Sequence, residues 1–148
     1  MNLTQKLDGW AYAHHPRWID ILRIALGLIL FIKGLLFIAN TATLVEMLKT
    51  SRFEWVSFAL AHYIAFAHLV GGIMITIGLL TRLAVLVQIP ILIGAIVFFN
   101  TRAGFFAVNS ELPFSILVLA LLVFFFFYGS GPSSADQALV NERKEEKG

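Results

Sequence analysis

The sequence predicts an all-α integral membrane protein, a four-helix transmembrane bundle with short interfacial helices. Three observations predict it. Hydrophobic residues make up 59% of the 148 residues and charged ones only 14%, more apolar surface than a soluble domain of this size can bury. Apolar stretches at about 19–39, 56–80, 83–100 and 112–128 are each close to the roughly 20 residues that cross a hydrocarbon core. No convincing strand pattern interrupts them.

Composition also excludes several functions. The net charge of +2 is too small and too scattered for a nucleic-acid surface, so no nucleic-acid partner is expected. With no cysteine, the chain alone has no disulfide, thiolate-metal or thiol-redox chemistry. No Gly-rich phosphate loop follows a strand, and no serine, histidine and acid pattern marks a nucleophile.

The chain divides into an arm (1–18), one transmembrane domain (19–129) and a polar tail (130–148). The arm lacks the apolar core of a signal peptide, so the mature chain is expected to keep it. Residues 3–15 suit a short interfacial helix, with Thr4 as N-cap and Trp10, Tyr12 and Trp18 as headgroup-level rings. In the first span, IDILRIALGLILFIKGLLFIA, Arg23, Gly27, Leu30 and Gly34 share a face on which a neighbour could approach closely. Residues 40–55 are too charged to span. Thr43 and Glu46 have capping-box spacing, and Leu44, Val45, Met47 and Leu48 suit an amphipathic helix lying on the membrane, with Trp55 anchoring the start of the next span.

The second span, with its continuation AHYIAFAHLVGGIMITIGLLTR, is joined to the third by little more than Thr81-Arg82, which forces an antiparallel hairpin. Pro90 is expected to bend the third span. Phe105 and Phe106 should draw the following loop toward the bilayer. Glu111 and Pro113 suit the start of the fourth span and Gly129 its stop.

Four spans place both ends of the chain on one side. That side holds Lys6, Arg17, Arg82, Arg143, Lys144 and Lys147, against Lys49, Arg52 and Arg102 on the other. The positive-inside rule then puts both termini in the cytoplasm, in the plasma (inner) membrane.

With that orientation the polar residues fall into two clusters. Asp20, Arg23, Arg82 and Asp136, with Gln88 nearby, gather at the inner end, where ion pairs or snorkelling give them a structural role. Lys33, His62, His68, Asn100 and Glu111 can converge in the outer half as a polar pocket, since ionisable groups at this depth are costly unless paired or hydrated. The alternative is that Lys33 snorkels, Glu111 is a helix-terminal charge and each histidine is an interhelical hydrogen-bond partner. His62 and His68 stand six apart, about 120° around a helix, so they do not make a metal pair and no metal site is expected.

Three sets of residues resemble the DoxX family of small four-span membrane proteins. They are Arg23, Gly27 and Gly34; Gly71-Gly72, Gly78 and Thr81-Arg82, similar to that family's GG-x(5)-GL-x-TR; and Gly129, Gly131, Ser134 and Asp136, similar to its G-x-G-x-x-S-x-D. Three positions depart from the pattern and make the outer pocket more basic. His68 stands where many members have a glutamate, Asn100 where a histidine is frequent, and Lys33 precedes Gly34.

The resemblance implies a four-helix transmembrane fold. It also implies kinship with membrane subunits of oxidoreductase complexes and, more distantly, with a cargo receptor and a receptor chaperone. The leading expectation is an accessory subunit, not catalytic alone, with an intramembrane pocket for a quinone or small anion and no intrinsic cofactor. In it, His62 and His68 would donate hydrogen bonds, Lys33 would supply positive charge and Glu111 would balance it. Expected partners are the lipid bilayer, membrane or peripheral oxidoreductase subunits and a second copy of the chain. The alternatives are a chaperone or assembly scaffold for membrane proteins, and a lipid-binding protein with Phe105 and Phe106 as a lid.

Overall fold

The apolar stretches fold as helices, which satisfy their backbone polar groups internally as a bilayer core demands. The computed structural model describes residues 17–50, 54–98, 111–131 and 133–145. Among these, α1 is Arg17–Ala39, α2 Thr41–Lys49, α3 Ser57–Ile77, α4 Thr81–Phe98, α5 Leu112–Tyr128 and α6 Ala135–Glu145, with a 3-10 turn at Glu54–Val56 before α3. The helices α1 and α4 and the stretch Glu54–Ile77 are long and apolar enough to cross a membrane. The apolar helix α5 has 17 residues and is about 26 Å long. The architecture is an all-α membrane bundle.

The bundle is built on one close crossing, α1 against α3. A Cβ added at Gly72 would lie 2.5 Å from the backbone nitrogen of Phe31 and 2.8 Å from the carbonyl of Gly27. One added at Gly34 would lie 2.7 Å from the backbone nitrogen of Leu69. Lipid gives apolar helices no hydrophobic reason to associate, so this backbone-to-backbone contact supplies the packing attraction instead. Next, α3 is tied to α4 by Gln88, 1% exposed, whose Nε2 donates to the carbonyl of Ala67 at 2.6 Å. The helix α5 packs on α4 and touches α1 only lightly.

The tight core lies toward one end. Leu26, Ile75, Val85, Leu122 and Phe125 are almost fully buried there. Toward the other end the four long helices separate, and α2 lies against α3 with Leu48 buried beneath it.

Several boundaries differ from expectation. The hairpin joint is Gly78-Leu79-Leu80, and Thr81 and Arg82 already belong to α4. Gly78 is in the left-handed region at φ 74, its N–H bonds the carbonyl of Ile75, and the N–H of Leu79 bonds that of Met74. This is a Schellman stop, so the glycine ends the helix before the charged pair is reached. Similarly, α2 starts directly after Asn40, whose N–H still bonds Leu36 of α1. That places Thr43 inside the helix, so no capping box forms. The helix α4 runs on through Pro90. The tail is a further helix, α6, beginning at Ala135. The arm helix at 3–15 with Thr4, Trp10 and Tyr12, the Phe105-Phe106 loop and Asn100 lie outside the described residues.

Candidate functional site

The two ends of the bundle carry two polar clusters of different character. At the packed end, Arg23 on α1 is 2% exposed. Its Nη1 donates to Asp20 Oδ1 at 3.2 Å and to the carbonyl of Ser130, and its Nη2 donates to the carbonyl of Ser133 at 3.3 Å. The tail therefore wraps over α1. It also clamps the α3–α4 turn, because Asp136 Oδ1 accepts from the N–H of Leu80 at 2.9 Å while its own N–H donates to the carbonyl of Gly78. Leu80 has φ 46, a backbone state costly for a branched residue, and the Asp136 carboxylate holds it there.

Ser134 is the N-cap of α6. Its Oγ accepts from the N–H of Gln137 at 3.3 Å and donates to the carbonyl of Gly131 at 2.7 Å. Arg82 lies over Gly129, where a Cβ would come 3.2 Å from its Nη2. Asp20, Arg23, Arg82 and Asp136 thus surround one knot that fastens the tail to the first helix and the hairpin.

At the open end, a cavity of about 430 Å³ lies between α1, α2, α3, α4 and α5. Its wall is mainly aliphatic and aromatic, and Lys33, Tyr63, His68, Glu111 and Ser115 are the polar side chains on it. The size and the few polar groups fit the usual description of a small-molecule pocket. Pro90 and Gly94 line it from α4, and nothing lies within 4 Å of the position a Gly94 Cβ would take.

The expected outer-pocket residues are distributed unevenly. Lys33 and Glu111 are joined across it, with Lys33 Nζ 3.0 Å from both carboxylate oxygens and 6.0 Å from the centroid of the Phe114 ring. This ion pair links α1 to the start of α5, where the helices otherwise barely meet. His68 is 5% exposed, sits midway along α3 and lines the cavity. Its Nδ1 is 2.9 Å from the carbonyl of Ile64, and its ring meets Phe37 edge-on at 5.1 Å. His62 does not line the cavity. It is exposed, its Nδ1 is 2.8 Å from the carbonyl of Phe58, and its ring lies against the Phe58 ring. The 120° separation from His68 carries it round to the outer surface of α3.

The cavity wall also contains Tyr63, Gly94 and Ser115, which sequence reasoning did not single out. A lone glycine in a helix without a small-residue partner was the available signal for Gly94. Among the described residues no group of His, Asp and Glu could hold a metal ion.

The fold and the cavity define a small helical-bundle membrane protein with room for a molecule between its helices. The chain belongs to the DoxX family, whose model matches residues 18–101, more than half its length. Comparison with curated proteins and with solved structures returns no match. The family match covers α1 to α4, hence the glycine crossing and His68, and ends before Glu111 and the Gly129–Asp136 knot.

Proposed function

We propose that this DoxX-family chain is an accessory subunit of a membrane oxidoreductase, and that its cavity binds a quinone-like small molecule. The observation that carries the proposal is the cavity of about 430 Å³ with His68 buried in its wall. The Lys33–Glu111 pair favours an uncharged occupant over a small anion. With both carboxylate oxygens on its Nζ, Lys33 offers little uncompensated charge to an anion. The reading as a chaperone or scaffold relies on glycine faces open to partner helices. Gly27, Gly34 and Gly72 are used within the chain, in the α1–α3 contact, which supports the pocket reading instead. The membrane is proposed to be the plasma (inner) membrane, with the Arg23 end of the bundle and both termini toward the cytoplasm.

The test uses the open space at Gly94. Native mass spectrometry of the full chain, extracted in mild detergent, is expected to detect a neutral bound molecule of quinone mass on the wild type. Gly94 lines the cavity and a Cβ there meets nothing within 4 Å, so Gly94→Phe should lose that molecule while melting at a similar temperature. Equal occupancy in both proteins, or none in the wild type, would reject the pocket.

A further inference from the structure

We infer that the cavity selects an uncharged amphiphile whose head group donates a hydrogen bond to His68 Nε2, so that a hydroxyl head is held in preference to a carbonyl head. The inference rests on the pocket reading above and narrows its quinone-like occupant to the reduced, hydroxyl-bearing form.

The argument begins with the His68 ring. A backbone carbonyl only accepts, so the 2.9 Å contact with Ile64 requires the hydrogen to be on Nδ1. In a neutral imidazole with that hydrogen, Nε2 carries a lone pair and accepts. A protonated ring would place a charge in a mainly apolar wall. Among the described residues no carboxylate pairs with it, and such burial is costly. The edge-on contact with Phe37 and the bond to Ile64 together fix the ring, so the acceptor cannot turn into a donor by a flip without losing its backbone partner.

The other polar lining groups do not reverse this preference. Lys33 is held by Glu111 at 3.0 Å, and the two charges offset each other at the head of α5. Tyr63 and Ser115 carry hydroxyls, which both donate and accept, so they discriminate poorly between head groups. Outside the Lys33–Glu111 pair, His68 is the polar side chain of this wall with a single polarity. A ligand carbonyl set against Nε2 would bring two lone pairs together and leave both unsatisfied. A ligand hydroxyl would satisfy both.

A matched pair of probes tests this on the full chain in nanodiscs, under anaerobic conditions. They are 2-decylbenzene-1,4-diol and the corresponding decyl benzoquinone. The diol is expected to bind about tenfold more tightly than the dione, the scale of one satisfied against one unsatisfied hydrogen-bonding group. His68→Phe keeps a ring in the wall and removes the acceptor, so the two probes should then bind alike. A third probe, 1-decanol, separates sources of the hydroxyl. Binding comparable to the diol points to lipid alcohols, and much weaker binding points to aromatic diols.

A dione that binds the wild type as tightly as the diol overturns the inference, and this comparison needs no variant. A preference for the diol that survives in His68→Phe overturns the role of His68. Failure of all three probes to bind the wild type rejects the pocket reading itself, a result distinct from equal binding.

Discussion

Arg23 is the residue on which most of the packed end converges. Itself 2% exposed, it bonds the carboxylate of Asp20 on its own helix and two backbone carbonyls more than a hundred residues further along the chain. Removing one member of such a buried set leaves the others unsatisfied, so the loss exceeds the worth of any single bond. Arg23→Met is therefore expected to destabilise the detergent-solubilised protein by roughly 3 kcal/mol, read as a lower thermal midpoint. An unchanged midpoint would mean that the tail is not held as described. The sequence made the inner gathering of Asp20, Arg23, Arg82 and Asp136 legible, because charges in apolar spans stand out. It could not reveal that Arg23 binds the carbonyls of Ser130 and Ser133, since a backbone acceptor leaves no mark in residue type. His68 is similar. Its depth was readable, but its polarity depends on which ring nitrogen faces Ile64, and that turned the expected donor into an acceptor.

At the scale of elements, two glycines on neighbouring helices make opposite predictions. Gly72→Ala places a methyl 2.5 Å from the backbone of α1, so α1 and α3 must move apart. Gly94→Ala meets nothing and gains helix propensity, worth about 1 kcal/mol. Thermal melts are expected to show Gly72→Ala clearly destabilised and Gly94→Ala equal to or above the wild type. The reverse order would contradict the α1–α3 crossing. The sequence set Gly72 apart through its pairing with Gly71, but a helical glycine signals close packing and open space by the same letter, so the room at Gly94 was not legible. The spans themselves were legible from hydropathy. Their hairpin joint lies earlier than Thr81-Arg82 because Gly78, able to adopt the left-handed state, stops the helix first. The tail helix α6 was not anticipated, as its mixed charges and polar residues carry no strong apolar period.

For the whole molecule, the question is which end faces the cytoplasm. The absence of cysteine makes the chain suited to single-cysteine labelling. Lys49 and Arg143 are exposed, one on α2 and the other on α6. A membrane-impermeant maleimide applied to intact cells is expected to label Lys49→Cys, and to label Arg143→Cys only after permeabilisation. The opposite pattern would invert the proposed orientation. The division of labour between the two ends also belongs to this scale. One end is dense and fastened, and the other is open and spanned by an ion pair. The sequence indicated a structural inner cluster and an outer pocket, but not the size or walls of the cavity, because these depend on how far the helices separate.

The knot at Arg23 also has a consequence in time. The bond to Ser130 joins residues 107 positions apart, so at ordinary synthesis rates Arg23 exists for on the order of 5–20 s before that carbonyl has been made. Among the described residues, the partner already present during that interval is Asp20, a single turn earlier on the same helix. Asp20 is thus the carboxylate at hand to pair with Arg23 before the tail exists, and the carbonyls of Ser130 and Ser133 join it only once they have been made. Biogenesis of this bundle finishes at its C-terminal knot, and a chain terminated before Gly129 would be left with its first helix inserted and its arginine half-satisfied.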